Sequence, residues 1–450
     1  MRAYIRKLKS LTYPQMIAFG YLLIIATGTL LLYLPIANRN NISPGFINAL
    51  FTATSATCVT GLVVFDTYTQ WSIFGQLVIL VLIQVGGLGF MTTITMFSFL
   101  LRRKIGLKER GLLRESVNTM YIGGIVRLTK KILVGTLLFE GLGAIILSWR
   151  FIPQMGLVSG IYNGVFHSVS AFCNAGFDLM GKIEKYSSLT TFSDDAVVSL
   201  TIIVLIILGG IGFFVWDDIM KNKHHYKKYQ LHTKIVLTMT AILIASGSIS
   251  FYIFESGNLL SEMGVGEKVI ASVFAAVTPR TAGFNTIDTM ALTPASKLLT
   301  MILMFIGGSP GSTAGGIKTT TLAVILISLW ASLINKRNDN IFGRRLEDSA
   351  LRRATAVVSV NLILTVSAAF LISATNAALS LSDVLFEVLS AIGTVGLSTG
   401  ITSTLSNFAL IIIVILMYCG RVGSLSFALI FAEHRIPSSV QSPVEKINIG

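Results

Sequence analysis

The sequence alternates long apolar stretches with short polar stretches rich in lysine and arginine. Apolar runs such as residues 17–34, 74–90 and 197–215 approach the length of about 20 residues that a helix needs to cross a bilayer. Most of the 35 lysines and arginines lie at the two chain ends and in three internal places, 102–131, 221–234 and 336–353. This pattern predicts a multi-pass protein of the cell membrane, with the basic places and both termini in the cytoplasm.

A shorter kind of segment recurs four times, at intervals of about 110 residues. Each copy has an apolar residue ten positions before a glycine, a small or hydroxyl-bearing interior, and Leu or Phe directly after the glycine. The copies occupy residues 51–61, 166–176, 273–283 and 386–396. A helical part of about twelve residues covers only about 18 Å, roughly half of the hydrocarbon core. Such a segment must enter and return on one side, with protein or a water-filled cavity around its backbone.

Each repeat therefore has one plan: a spanning helix, a half-length helix with a non-helical strand, and a second spanning helix. Because this plan returns the chain to its starting side, the repeats are parallel about an axis along the membrane normal. The predicted fold is all-α, a single membrane domain of residues 1–450 with eight spanning helices and four re-entrant pore loops around a central pore. The repeats have the approximate bounds 11–101, 125–219, 231–332 and 351–431. The predicted return spans are 71–101, 196–216, a part of 294–330, and 408–431.

The composition supports a membrane protein. Of 450 residues, 53% are hydrophobic and 12% are charged, and the mean hydropathy is +0.75, unlike an ordinary soluble domain. The net charge of +14 follows the membrane pattern, so nucleic acid is a poor candidate partner. The opposite face carries acids that include Asp66, Asp178 and Asp288. They either form a negative mouth that concentrates cations or are ordinary solvated loop charges.

Other classes of chemistry find little support in the chain. Residues 1–10 are basic and lead into a full-length span without a convincing cleavage site, so we expect no removed signal peptide. Cys58, Cys173 and Cys419 lie in apolar or pore-like segments without metal-ligand spacing, which argues against a disulfide framework and a zinc site. No Ser/His/Asp set or carboxylate pair stands out, so an enzyme is not predicted.

The repeated glycines are the first candidate site. Four parallel loops around one axis place them at one level, and glycine lets the backbone adopt conformations closed to other residues. In cation channels, backbone carbonyls replace the hydration shell of the ion, and Thr394-Val395-Gly396 has the composition of such a filter strand. The alternative is a set of packing or turn glycines. The predicted selectivity filter takes three residues from each loop: Val59, Thr60, Gly61, Asn174, Ala175, Gly176, Thr281, Ala282, Gly283, Thr394, Val395 and Gly396.

The third return segment, residues 305–321, differs from the other three. It contains Pro310 and five glycines, so a continuous helix through it is not expected. We predict an intramembrane loop that obstructs the pore below the filter. A phosphate-binding loop fits poorly, because Ile317 intervenes before Lys318 and no strand precedes the segment. The predicted gate residues are Gly307, Gly308, Ser309, Pro310, Gly311, Gly315, Gly316, Lys318 and Arg421.

Charged and small residues of the return segments carry further predictions. Glycine groups at 86–89, 209–212 and 419–423 are predicted to let helices approach closely. Arg421 lies within the fourth return span, where a charge costs about 2.5–3.5 kcal/mol on insertion scales and needs a partner. That partner is either the carbonyls of residues 305–321, which makes Arg421 a latch, or an acid such as Glu387. Lys318 either belongs to the gate or lies at the inner end of the loop and reaches the cytoplasm. Arg280, in the third pore loop, is expected to point away from the axis.

The four repeats, with TAGF at 281–284, TVGL at 394–397 and GGSPGSTAGGIKT at 307–319, resemble the Trk/Ktr/HKT family of potassium transporters over essentially the whole chain. The compact length and basic start are most similar to the bacterial Ktr membrane subunit. The resemblance implies potassium uptake, often sodium-stimulated, by a homodimer in membrane lipid with one pore per subunit. It implies a separate cytoplasmic ring of nucleotide-binding regulatory subunits, no cofactor in this chain, and K+ bound only at the filter. By the same resemblance, residues 305–321 form the gate and Arg421 contacts it.

Two other classes stay open. One is a secondary transporter that couples K+ to Na+ or H+ by alternating access, and the other is a structural or receptor-like membrane protein. Alternating access suits inverted halves and acids within the spans, whereas Glu140 is the only clear candidate in a predicted full span. Parallel repeats and a single aligned filter favour the pore.

Overall fold

The computed structural model describes residues 12–101, 105–116, 123–335, 340–423 and 445. The basic start at 1–10 and the end of the predicted span 408–431, beyond residue 423, lie outside these described residues. Within the described residues the chain is predominantly helical, and its strands form one antiparallel hairpin, β1 (Asn340–Ile341) with β2 (Arg344–Arg345).

The helices are described by the predicted repeat in which they lie. The first repeat and the segment after it contain α1 (Tyr13–Tyr33), α2 (Phe46–Cys58), α3 (Ile73–Leu88), α4 (Phe90–Leu100) and α5 (Leu107–Ser116). The second contains α6 (Ile125–Met155), α7 (Leu157–Phe172), α8 (Ala196–Gly210) and α9 (Phe213–Asn222). The third contains α10 (Leu231–Glu255), α11 (Val265–Val277), α12 (Pro294–Phe305) and α13 (Thr319–Leu333). The fourth contains α14 (Asp348–Thr375), α15 (Leu381–Gly393) and α16 (Asn407–Val422).

The first helix of each repeat is long and apolar enough to cross a bilayer, which applies to α1, α6, α10 and α14. Each turns an apolar face away from the protein, with Leu30, Leu137, Ile253 and Phe370 more than half exposed. Such faces suit lipid tails and are costly in water. The prediction of a multi-pass membrane protein therefore agrees with the fold.

The second helix of each repeat is shorter. α2, α7, α11 and α15 have 13 or 16 residues, and each packs against the long helix of its own repeat. Even sixteen residues reach only about 24 Å, less than the hydrocarbon core of about 30 Å. Each of these helices ends directly before the predicted filter residues of its repeat or within a few residues of them.

The return segments of the first, second and fourth repeats do not form the unbroken spans predicted from the sequence. The stretch 71–101 divides into α3 and α4 at Gly89, which has φ 82°. The stretch 196–216 divides into α8 and α9 at Gly212, with φ 98° and a bend of 93° between the two helices. α16 ends before Gly423, which has φ 96°. A positive φ ends a right-handed helix and favours glycine, which is the physical reason why these predicted spans are interrupted.

The same glycine groups also admit neighbouring backbone, as predicted. A Cβ atom on Gly86, Gly209 or Gly420 would collide with a carbonyl of α2, α7 or α15, respectively. In each case this carbonyl lies four residues before the filter glycine of the same repeat. The return helices are therefore seated directly against the ends of the half-length helices.

The predicted break within residues 305–321 is confirmed. α12 ends at Phe305 and α13 begins at Thr319. The residues between them, 306–318, are called the broken segment below. Ile306 and Ile317 pair as a parallel bridge, and Thr319 N–H donates to Gly308 O at 3.0 Å. The broken segment is therefore a compact loop closed by its own hydrogen bonds.

Candidate functional site

The four predicted filter glycines lie next to one another in a closed ring. A Cβ atom built on Gly61 would lie 3.1 Å from Gly176 Cα, and one on Gly176 would lie 3.0 Å from Gly283 Cα. A Cβ on Gly283 would lie 3.2 Å from Gly396 Cα, and one on Gly396 would lie 2.9 Å from Gly61 Cα. Each of these Cβ atoms would also lie 2.2 to 2.7 Å from a carbonyl oxygen of the neighbouring strand, a distance that real Cβ atoms essentially never show, so the ring accepts only glycine without moving. We call these four residues the glycine ring.

The peptide carbonyl before each glycine borders the neighbouring glycine of the ring. An added Cβ on Gly283, for example, would lie 2.5 Å from Val395 O. The four carbonyls in this position belong to Thr60, Ala175, Ala282 and Val395. The donor atoms gathered here are hard backbone oxygens, which suit a cation stripped of its water.

The residue two positions before each glycine has left-handed backbone. These residues have φ between 51° and 76° and are Val59, Asn174, Thr281 and Thr394. Three of them are β-branched, for which a positive φ is a strained conformation that costs on the order of 1–3 kcal/mol. The four loops share this conformation although their side chains differ. A common backbone shape, and not side-chain chemistry, therefore defines the ring.

Buried serines fix the ring in the first and fourth repeats. Gly61 N–H donates to Ser55 Oγ at 3.1 Å, and Gly396 N–H donates to Ser390 Oγ at 3.0 Å. Both serines are fully buried in the last turns of their half-length helices. A buried hydrogen bond of this kind gives the strained backbone a fixed orientation.

The second and third repeats use a hydroxyl differently. Ser170 Oγ donates to Phe177 O at 2.7 Å, and Thr278 Oγ1 donates to Phe284 O at 2.7 Å, so the carbonyl after the glycine is fixed instead of its N–H. None of these four hydroxyl residues is among the site residues predicted from the sequence. The available signal was a serine six positions before the glycine in three of the four loops.

A cavity of about 290 Å³ opens on the glycine ring. The four glycines form part of its wall together with Asp66, Asp178 and Asp288, and we call it the acidic cavity. Burial raises the pKa of Asp178 to about 7, the N–H of Met180 opposes the shift, and the charge of Asp66 adds to it. Near neutral pH, the contribution of Asp178 to the negative charge beside the ring therefore depends on its protonation.

The broken segment is fastened to the bend between α8 and α9. Three backbone hydrogen bonds of 2.8 to 3.2 Å join them: Ser309 N–H to Gly210 O, Thr313 N–H to Gly209 O, and Phe213 N–H to Gly311 O. The Thr313 hydroxyl also donates to Phe172 O at 3.2 Å. The bend leaves helix-terminal carbonyls and one N–H without helical partners, and the broken segment supplies those partners.

The other side of the broken segment touches the fourth repeat beside the ring. A Cβ atom on Gly316 would lie 3.0 Å from Gly393 O, and one on Gly315 would overlap the side chain of Thr394. Thr394 is a predicted filter residue in the left-handed position described above. The broken segment therefore lies directly against the strand that ends at Gly396, and its glycines permit that approach.

Arg421 joins three repeats through carbonyl oxygens. Its Nη1 donates to Thr313 O in the broken segment, and its Nη2 donates to Gly86 O and, at 3.1 Å, to Gly87 O. The two glycine carbonyls belong to the last turn of α3, where unpaired carbonyls and the helix dipole favour a cation. Of the two partners considered for Arg421, the structure shows a loop carbonyl.

Other charged residues have local partners. Glu387, the alternative partner of Arg421, accepts hydrogen bonds from two hydroxyl groups in the connection after the fourth filter strand. Lys318 is half-buried, and its Nζ donates to two carbonyls of the broken segment at 2.8 and 3.1 Å. Arg280 is buried and donates to Thr240 Oγ1 on α10, the long helix of its own repeat, at 3.3 Å.

A second cavity, of about 240 Å³, is lined in part by the broken segment. Gly311, Gly316 and Lys318 line it together with Arg421, and we call it the Arg421 cavity. The predicted filter residues are not among the described residues that line it. The glycine ring therefore borders one cavity, and the broken segment borders the other.

Within the described ranges, no group of three or more His, Cys, Asp or Glu side chains is placed to hold a metal ion. The three cysteines are buried and free. The atoms gathered at the ring are backbone oxygens, and carboxylates line the acidic cavity beside it.

A family model described as TrkH, cation transport protein, matches residues 12–442. The fold and the match define a membrane transport protein, and the chain belongs to this TrkH family of cation transport proteins. The resemblance predicted from the sequence is thereby confirmed.

Individual relatives cover the whole chain. The chain is 41% identical to the potassium/sodium uptake protein NtpJ of Enterococcus hirae, over 98% of each chain. It is 43% identical to the Ktr system potassium uptake protein B of Bacillus subtilis, over 98% of this chain and 97% of the relative. The solved structure of the potassium transporter TrkH from Vibrio parahaemolyticus is similar with a TM-score of 0.69 at 16% identity, covering 92% of this chain and 85% of that chain. This structural likeness supports the fold alone.

Proposed function

We propose that this chain is the membrane subunit of a potassium uptake system and that K+ crosses through its own selective pore. The observation that carries the proposal is the closed glycine ring, in which residues far apart in sequence meet with the same backbone shape. The two relatives above 40% identity are named for potassium uptake. A channel-like filter explains why four differing loops keep one glycine and one conformation.

The proposed ion path begins at the acidic cavity, whose carboxylates raise the local concentration of cations. At the ring, the carbonyls before the four glycines replace the hydration shell of K+. The half-length helices α2, α7, α11 and α15 act as re-entrant pore helices of four parallel repeats, and the partial negative charge at their C-termini favours a cation beside the filter. Selection thus depends on fixed backbone oxygens and needs no bound cofactor.

The broken segment acts as the gate in this proposal. It lies against the filter strand and in front of the Arg421 cavity, so K+ that leaves the ring meets it next. Arg421 serves as a latch through its hydrogen bond to Thr313 O. To open the pore, the broken segment must move away from these partners. Such a movement breaks only hydrogen bonds between repeats, because no continuous helix runs through the segment.

The proposed assembly is a homodimer in the cell membrane, with both termini in the cytoplasm and a cytoplasmic ring of nucleotide-binding subunits as regulator. The name of the Bacillus subtilis relative, an uptake protein of a Ktr system, supports a further component. The name of the Enterococcus hirae relative includes sodium, which supports Na+ as an activator or second ion.

Flux measurements on purified protein in vesicles test the proposal. Downhill K+ flux without any imposed Na+ or H+ gradient is the expected result. If K+ moves only when a second ion moves with it in fixed proportion, the chain is a secondary transporter of the alternating-access class and the pore is wrong.

A further inference from the structure

The hydroxyl groups behind the glycine ring fall into two pairs that hold different atoms. In the first and fourth repeats, two successive N–H groups of the filter strand donate to one serine. Thr60 N–H donates to Ser55 O at 2.8 Å and Gly61 N–H to Ser55 Oγ at 3.1 Å. The fourth repeat has the same pair of bonds, from Val395 N–H to Ser390 O at 2.8 Å and from Gly396 N–H to Ser390 Oγ at 3.0 Å.

A peptide group is planar and trans, so its N–H and its C=O point in opposite directions. The N–H of Gly61 and the carbonyl of Thr60 belong to one such plane. When Ser55 holds the N–H behind the strand, the carbonyl of Thr60 is turned to the opposite side, where its oxygen borders Gly396 in the ring. The same reasoning applies to Ser390, which fixes the carbonyl of Val395.

The second and third repeats lack this restraint on the ring peptide. Ser170 occupies the same position relative to its glycine as Ser55, but its hydroxyl donates to Phe177 O, one peptide beyond the glycine. In the third repeat Val277 takes that position, and Thr278 makes the equivalent bond to Phe284 O. These hydroxyls fix the exit of the strand and leave the orientation of the Ala175 and Ala282 carbonyls to the strand itself.

We propose that Ser55 and Ser390 are specificity-determining positioning residues, which keep the carbonyls of Thr60 and Val395 turned toward the ion path by holding the N–H of the following glycine. This inference rests on the proposed function of the ring as a filter. It predicts that the four carbonyls are not equivalent: two are held rigidly by serine, and two can rotate more readily. If the carbonyls of Thr60 and Val395 turned away from the ion path, the ring would lose oxygens for K+ and would discriminate less against Na+.

The test compares three single substitutions that each remove one buried hydroxyl. Ser55→Ala and Ser390→Ala are expected to lower the K+-to-Na+ permeability ratio in vesicles roughly two- to tenfold, the range expected for the loss of one hydrogen bond. Ser170→Ala is the matched control, because it removes the same group at the same position without freeing the ring peptide. Its ratio is expected to change less than that of either other variant.

Gel filtration and the total K+ flux of each variant show whether the protein is folded. The inference is overturned if Ser55→Ala and Ser390→Ala are folded and keep the wild-type ratio, or if Ser170→Ala lowers the ratio as much as they do. A Gly283→Ser variant measured beside them tests the filter assignment separately from the role of the serines. If Gly283→Ser loses selectivity while the serine variants do not, the filter stands and the role of the serines is wrong. If none of them changes the ratio, the filter assignment itself fails.

Discussion

The glycine ring and the broken segment are both rich in glycine and in contact with each other, yet they are held in opposite ways. The ring consists of four strands, one from each repeat. Each strand is fixed within its own repeat by the end of its half-length helix. The broken segment occurs once and is fixed by hydrogen bonds to other repeats, through the bend at Gly212 and through Arg421. Local, repeated restraint suits an ion-selecting structure, whereas a few contacts between repeats can be released together.

The largest effect is expected from substitution in the ring. Gly283→Ser places a side chain on a residue with φ 75°, and the new Cβ atom would lie 2.5 Å from Val395 O. The strand must shift, and we expect the K+-to-Na+ permeability ratio to fall tenfold or more, a change of about 1.4 kcal/mol or more. Gly266→Ser is the matched control, because no atom lies within 4 Å of its Cβ position. An unchanged ratio in a folded Gly283→Ser protein would show that the ring is not the filter.

The next effect concerns the latch. Arg421→Ala removes the guanidinium that binds Thr313 O together with Gly86 O and Gly87 O. Hydrogen bonds to charged groups contribute about 1.5–3 kcal/mol, so the closed position of the broken segment should be weakened and K+ flux raised about tenfold or more. Arg421→Lys keeps the charge but not the planar fork, and an intermediate flux is expected. A flux equal to wild type in both variants argues against a latch.

A smaller effect is expected where the broken segment meets the bend. Phe213 is the first residue of α9, a position where proline is tolerated, and its N–H donates to Gly311 O at 2.8 Å. Phe213→Pro removes this N–H as well as the side chain, whereas Phe213→Ala removes the side chain alone. We expect Phe213→Pro to conduct K+ roughly two- to tenfold faster than Phe213→Ala, as for one lost hydrogen bond. Equal flux in the two variants would mean that the bend does not restrain the segment.

The smallest effect belongs to the acidic cavity. The pKa of Asp178 is raised to about 7, so its carboxylate is charged above that pH and becomes protonated as the pH falls through it. Uptake at limiting K+ should therefore fall by about twofold or somewhat more between pH 8 and pH 6, as the attraction for cations weakens. Asp178→Asn should show the low rate at both pH values. If the variant keeps the pH dependence of the wild type, another group causes it.

Repetition made the ring predictable from sequence, and local composition made the break within residues 305–321 predictable. A glycine in register in four loops is visible without a structure, and Pro310 with its surrounding glycines excludes a helix for local reasons. The strained conformation of Val59 and Thr394 was not predictable in this way, because β-branched residues by themselves avoid a positive φ. Tertiary restraint, which the sequence pattern does not display, overrides that preference.

The interrupted return helices show a different limit. The glycine groups at 86–89 and 209–212 are compatible with close packing and with a break, and the apolar pattern continues through both. Whether the helix continues or breaks depends on the segments that pack against it in the folded protein. The carbonyls freed at Gly209 and Gly210 are stabilised by N–H groups of Thr313 and Ser309, which lie about 100 residues further along the chain.

In the proposed pore, the ring selects the ion and the broken segment controls conduction, so the two roles lie in separate regions. The K+-to-Na+ permeability ratio of Arg421→Ala, measured in the same vesicles as its total K+ flux, tests this separation. We expect a higher flux with the wild-type ratio, because the latch is released while the ring stays intact. A ratio that falls as the flux rises would contradict this separation and show that the broken segment takes part in choosing the ion.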